Sequence, residues 1–102
     1  MNPAQLMAQV KKMQTEMARA QDELANTVVT GSAAGGSVTI EMTCDQRVKS
    51  VKIAKEAVDP DDVETLEDLV VVAINDAVTK AGEVSQKRMG SVTGGMNIPG
   101  LT

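Results

Sequence analysis

The sequence predicts an α+β fold in the order α-β-β-β-α, a three-stranded antiparallel sheet with a long helix on either side of it in the chain. Three observations carry that reading. A narrow apolar stripe at helical spacing runs through residues 3–25, the apolar positions switch to period two over residues 27–54, and a broad apolar arc at helical spacing occupies residues 59–90. One domain over residues 1–90 follows, with residues 91–102 as a flexible Gly-rich tail. A chain of 102 residues leaves no room for a second core.

In the first helix Leu6, Val10, Met13, Met17, Ala20 and Leu24 recur at alternating spacings of four and three. That period keeps them on one thin line, a width suited to a single partner helix. Pro3 stands in the first turn, where its missing N–H costs nothing. Thr27–Thr30 is a short β-prone run closed by Gly31. Gly35 and Gly36 then turn the chain into Ser37–Thr43, where Val38, Ile40 and Met42 share one face. After a turn at Asp45–Gln46, the third strand sets Lys49, Val51 and Ile53 on one face and Val48, Ser50 and Lys52 on the other. Connections this short make the sheet an antiparallel meander with one polar face. The second helix opens with Asp59 as N-cap and Pro60 at the first helical position, and Asp61 and Asp62 complement the positive helix end. Its arc, which includes Leu66, Leu69, Val70, Ala73, Ile74, Ala77, Val78, Ala81 and Val84, is wider than one small sheet can hide. Leu66, Leu69, Val70, Ala73, Ile74 and Ala77 are therefore expected at a homodimer interface. Gly82 marks a bend or a close helix contact.

Composition supports a second copy of the chain. There is no Phe, Tyr, Trp or His, Leu, Ile and Val supply 23 residues, and seven Met and twelve Ala do the rest of the filling. A domain of this size buries only somewhat over ~60% of its unfolded surface, so a partner chain is expected to complete the core.

The same absences remove whole classes of chemistry. Without His there is no imidazole base or imidazole metal ligand. A single Cys excludes an intramolecular disulfide, and without aromatic rings a module that stacks bases on Phe or Tyr is excluded. The Gly31…Gly36 segment lacks the Gly-Lys-Ser/Thr of a phosphate loop, and Asp59, Asp61, Asp62 and Glu64 lack the spacing of a calcium loop. Met7, Met13 and Met17 read as packing rather than as metal ligands. No enzyme, cofactor or metal is expected. With no run of 18 apolar residues and no signal-peptide core, the sequence reads as cytoplasmic.

The net charge of −4 hides an uneven distribution. Residues 1–55 carry seven bases and five acids, residues 56–76 eight acids and no base, and residues 77–102 three bases and one acid. An acidic middle thus separates two mildly basic arms. Helices of about 23 and 30 residues would span ~35 and ~45 Å, well past a seven-residue strand of ~23 Å. Their outer ends are expected to place Lys11, Lys12, Lys87 and Arg88 near one tip. Part of this charge has a plain alternative use, since Lys12–Glu16, Arg19–Glu23, Asp76–Lys80 and Glu83–Lys87 all stand at i,i+4 spacing on solvated helix faces.

Three segments, Leu6-Met7-x-x-Val10-x-x-Met13-Gln14, Glu67-Asp68-Leu69-Val70-x-x-Ala73-x-Asn75-Asp76-Ala77 and Thr93-Gly94-Gly95-Met96-Asn97-Ile98-Pro99-Gly100, resemble in kind and order the YbaB/EbfC family of bacterial nucleoid-associated proteins. The resemblance covers nearly the whole chain. It implies a tweezer-like homodimer that binds double-stranded DNA on the nucleoid through charged residues of its first and last helices. Matched by position, those residues are Lys11, Lys12, Arg19, Lys80, Lys87 and Arg88. Cations without a base-reading pattern would neutralise phosphates and grip DNA with little regard to sequence. The competing reading is a protein-interaction adaptor whose helical arms hold a replication or recombination factor; for Met96, Ile98 and Leu101 of the tail, a frayed terminus is a simpler expectation than docking on a partner.

Overall fold

A computed structural model describes residues 2–93 and has the expected order of elements. The first helix, α1, spans Pro3–Ala25. Asn2 caps it with a reciprocal pair of bonds: its side-chain oxygen accepts from Gln5 N–H at 2.8 Å, and its own N–H donates to Gln5 Oε1 at 3.3 Å. Strands β1 (Val28–Ala33), β2 (Val38–Thr43) and β3 (Val48–Ile53) form one antiparallel sheet in chain order. The second helix, α2, spans Val63–Thr93.

Gly31 does not close the first strand; it lies in the middle of β1, paired with Ile40. The reason is contact with α2. A Cβ at Gly31 would fall 2.7 Å from the Cα of Ala77 and nearer still to the Ala73 carbonyl oxygen and the Ala77 nitrogen. Only hydrogen fits between strand and helix there. Ala73, Ala77 and Ala81 recur every four residues along α2 and have no exposed surface. They pack with Ala33, Val38, Ile40 and Met42, so small helix residues set the spacing and larger β2 residues fill it. The turn after β1 is a single 3₁₀ turn, Ala34–Gly36, in which Ala34, Gly35 and Gly36 all have positive φ.

β3 departs from simple alternation. Glu41 pairs with Ser50 but Met42 pairs with Val48, so Lys49 is an extra residue at a bulge. The bulge moves Val48 onto the face of Val51 and Ile53, rather than the face of Ser50 and Lys52. These three valine and isoleucine side chains share the face of Met42, Ile40 and Val38, yet they remain 50%, 48% and 41% exposed. α2 covers β1 and β2 and leaves the third strand bare.

The start of α2 also differs from the sequence reading. Asp59 accepts from Asp61 N–H and shapes a turn, and Asp62 is the cap, its carboxylate accepting from Thr65 N–H and from Thr65 Oγ1 at 2.6 Å. The helix therefore begins at Val63. At its other end it runs through Gly90 to Thr93, so Ser91–Thr93 belong to the helix, and the rest of the expected tail, residues 94–102, lies outside the described residues. Gly82 makes no close contact, since a Cβ there meets no heavy atom within 4 Å.

The two edges of the sheet are treated differently. On β1, Ser32 N–H donates to Asp76 Oδ2 at 2.9 Å, and the Thr30 carbonyl accepts from Lys80 Nζ at 3.0 Å. Lys80 and Asp76 are themselves paired at 3.1 Å. One side-chain pair on α2 thus satisfies a donor and an acceptor on that edge. The Ser32 N–H, and after it the Lys80 ammonium, hold the Asp76 carboxyl below its ordinary value of 3.8.

Two outcomes follow. Gly31→Ala should cost about 3 kcal/mol or more, because the added methyl must push two backbones apart, whereas Gly82→Ala should gain up to about 1 kcal/mol from helix propensity; urea unfolding of both variants measures the contrast. A depressed carboxyl stabilises the fold fully at neutral pH, and that stabilisation is lost as pH falls from about 4 through the lowered value. Asp76→Asn, which keeps an acceptor for Ser32 but loses the charge, should show a smaller drop in stability between pH 7 and pH 3 than the parent chain.

Candidate nucleic-acid interface

α1 and the second half of α2 form an antiparallel pair that extends beyond the sheet. The molecule measures 70 × 25 × 17 Å and has a radius of gyration of 19.5 Å, against about 13 Å for a compact chain of this length. Elongation comes from α1 stacking on a helix rather than on the sheet. Its stripe is buried only toward its C-terminal end: Ala20 and Leu24 are covered, Met13 and Met17 are half-covered, and Leu6 and Val10 are exposed. The end of α2 is reached near Met13, because Gln9, Lys12, Met13 and Glu16 share a groove with Arg88, Ser91 and Val92. The first two turns of α1 overhang.

The base of the helix pair is anchored at Cys44, just beyond β2. Its N–H is shared between the Leu24 carbonyl at 3.0 Å and the Thr27 carbonyl at 2.8 Å, which ties the end of α1 to the sheet. The thiol is buried, and burial, followed by the neighbouring Asp45, raises its pKa. Such a thiol is poorly suited to nucleophilic work.

Of the six expected contact residues, Lys12 and Arg88 line one groove, and Lys87 joins Arg88, Val84 and Ser91 around a shallow depression beside it. The six differ in how far they are already engaged. Arg88 Nε donates to Glu23 Oε2 at 2.6 Å across the two helices, and its Nη1 donates to Ser91 Oγ at 3.1 Å. That bond lowers the pKa of Glu23 and raises that of Arg88. Because Glu23 is taken by Arg88, Arg19 contacts Glu16 instead, at 4.0 Å, and the Arg19–Glu23 pair expected from spacing does not form. Lys80 is held by Asp76 and the Thr30 carbonyl at the sheet edge. Lys11, Lys12 and Lys87 have no ion-pair partner among the described residues, so neither the Lys12–Glu16 nor the Glu83–Lys87 pair is made.

The apolar residues expected to face a second copy separate into two groups. Ala73 and Ala77 are fully covered by their own sheet and have no surface left for a partner. Leu66, Leu69, Val70 and Ile74 are half-buried at the margin of that core. Period-3.6 patterning shows which side of a helix is apolar without showing what covers it, and the Ala residues marked the intramolecular contact.

Sequence reading overlooked a second set of cations. Arg47, Lys49, Lys52 and Lys55 fall within nine residues on and beside β3, all exposed and with no acid among them. Arg47 alone has a carboxylate within reach, Asp45 at 3.8 Å. The signal was present as a basic run, but strict alternation with Val48, Val51 and Ile53 divided Lys49 and Lys52 between the two faces of a strand. No group of acidic or thiol side chains among the described residues is arranged to hold a metal ion. No described helix is long and apolar enough to cross a membrane.

Comparison with known proteins agrees with this architecture. The model of the YbaB/EbfC DNA-binding family matches residues 1–96. A nucleoid-associated protein of Roseiflexus sp. (strain RS-1) is 54% identical over 101 residues, covering 99% of this chain and 100% of that protein. One from Dictyoglomus turgidum is 49% identical over 98 residues, covering 96% and 94%. In fold, the chain is similar to the crystal structure of an uncharacterized protein from Helicobacter pylori, with a TM-score of 0.75 at 20% identity over 85% of this chain and 91% of that one. By its matched family model and by relatives of about half-identical sequence along its whole length, the chain belongs to the YbaB/EbfC DNA-binding family.

Proposed function

We propose that the protein is a nucleoid-associated DNA-binding protein that acts as a homodimer and grips double-stranded DNA through the charged faces of its helical arms. The observation that carries this reading is the family match along the chain, joined to an arm whose Lys11, Lys12 and Lys87 are exposed and unpaired among the described residues. A lysine with no protein partner loses little on meeting a phosphate, whereas Arg88 and Lys80 would first give up Glu23 and Asp76. Lys11, Lys12 and Lys87 are therefore the principal contacts, with Arg19, whose Glu16 lies at the limit of contact, next.

Contact of this type reads phosphates, so affinity depends on salt and little on sequence. Helix faces carrying Lys without a matched Arg or Asn set give no base code. The acidic half of α2 repels DNA and keeps it off that part of the molecule.

A second copy is favoured by the bare side of the sheet. Val48, Val51 and Ile53 are exposed on the sheet face that α2 covers over β1 and β2, and Val70 and Ile74 of α2 are half-buried at the margin of the core. These residues are apolar surface that one chain leaves uncovered. The same surface on a second chain, related by a two-fold axis, would complete the core with Leu66 and Leu69 at its margin.

Duplex binding followed by fluorescence anisotropy at several salt concentrations should give log affinity falling linearly with log salt. Lys11→Gln/Lys12→Gln/Lys87→Gln should weaken binding at least tenfold at 0.1 M salt, by an order-of-magnitude reckoning, and reduce that slope by about 0.9 for each lost contact. Affinity that ignores salt would defeat the phosphate reading. Sedimentation should show a dimer, and Val51→Asp should shift it to monomer; a parent chain that is monomeric at micromolar concentration would rule the dimer out.

A further inference from the structure

We infer that the β3 edge is a second phosphate-binding surface for double-stranded DNA, formed by Arg47, Lys49, Lys52 and Lys55. The inference rests on the DNA-binding reading above and adds to it a surface outside the helical arms.

The distribution of engaged and unengaged cations is the first ground. The chain has ten Lys and Arg residues. On the arms, three of six are held by Glu16, Asp76 or Glu23. On and beside β3, Lys49, Lys52 and Lys55 have no ion-pair partner among the described residues, and Arg47 has only Asp45 at 3.8 Å. The sheet edge therefore offers as many unengaged lysines as both arms together. The nearest acid across the sheet, Glu41, accepts a hydrogen bond from Ser50 Oγ at 3.2 Å, so it is turned to a strand neighbour and pairs with none of these cations.

Position is the second ground. At about 3.4 Å per residue, Lys49 and Lys52 stand roughly 10 Å apart along β3. The turn that leads into the strand, Cys44–Gln46, shares a depression with Val78, Gly82 and Gln86 of α2, and Cys44 is bonded to the end of α1. Arg47 thus begins where the two arms leave the sheet, and the strand carries the charge away from that junction. Asp45 and Glu83 also line that depression, so the cations of the arms and those of β3 form two groups on either side of the junction.

The contrast between the sheet edges is the third ground. On β1, Asp76 and Lys80 occupy edge backbone groups. On β3 the outward N–H groups have no such cover from α2 and stand beside lysines, which is a combination of donors that a phosphate oxygen accepts. Ser50 and Lys52 lie on the face opposite Val48, Val51 and Ile53, so a dimer that covers the apolar face leaves them accessible.

The test compares Lys49→Gln/Lys52→Gln/Lys55→Gln with the arm variant Lys11→Gln/Lys12→Gln/Lys87→Gln, using one duplex across a salt series, with sedimentation on each protein. Support is a β3 variant with parental sedimentation, an affinity lowered about tenfold at 0.1 M salt and a salt slope smaller by up to about 2.7, about 0.9 for each lysine lost. If the arm variant weakens binding while the β3 variant keeps parental affinity and slope, the β3 surface is overturned and the arm reading stands. If the β3 variant changes the oligomeric state, the lysines serve assembly and the inference fails. A parent chain that binds no duplex at low salt overturns both.

Discussion

The approach of α2 to β1 at Gly31 is the constraint from which the remaining structure follows. A strand and a helix whose backbones nearly touch leave no space for side chains between them, which is why Ala73, Ala77 and Ala81 repeat beneath it. Pulled this close to β1, the helix spans β1 and β2 and cannot also reach β3. Three consequences descend from that offset. Asp76 and Lys80 come within reach of one sheet edge, β3 keeps a bare apolar face, and the far half of α2 runs past the sheet to meet α1.

A core made without a single aromatic ring is consistent with this geometry. Among the described residues, Ile40 and Val38 are the largest side chains fully enclosed. Alanines and a glycine permit short distances, and short distances recover the packing that larger groups would otherwise supply. What they do not recover is area, so the chain leaves an apolar step for another surface to cover.

Much of the fold was legible in the sequence because its signals were local. Alternating four–three spacing marked α1, and the turn residues marked the sheet. The places that were misread depend on contacts distant in sequence. Gly31 looked like a strand terminator because nothing nearby shows that α2 lies on it. The bulge at Lys49 depends on pairing with Glu41 and Met42, and strict alternation cannot reveal it. Asp59 and Asp62 are equally good caps by residue type, and the turn geometry chose the second. At the candidate site, Lys11, Lys12 and Lys87 could be identified by helix position, but the engagement of Arg88 with Glu23 joins residues 65 apart and no spacing rule contains it.

The sealing of β1 by Asp76 and Lys80 has a consequence for how copies of the chain can add to one another. A sheet with two open edges can receive a neighbour on each side and extend without limit. Here one side is already occupied by groups of the same chain, so lateral association has only one place to occur. Were a strand of another copy to add there, it would use up the open edge of both chains, so strand addition would stop at a pair rather than run on as a fibre. For a protein crowded along a polyanion, that termination keeps local concentration from becoming polymerisation.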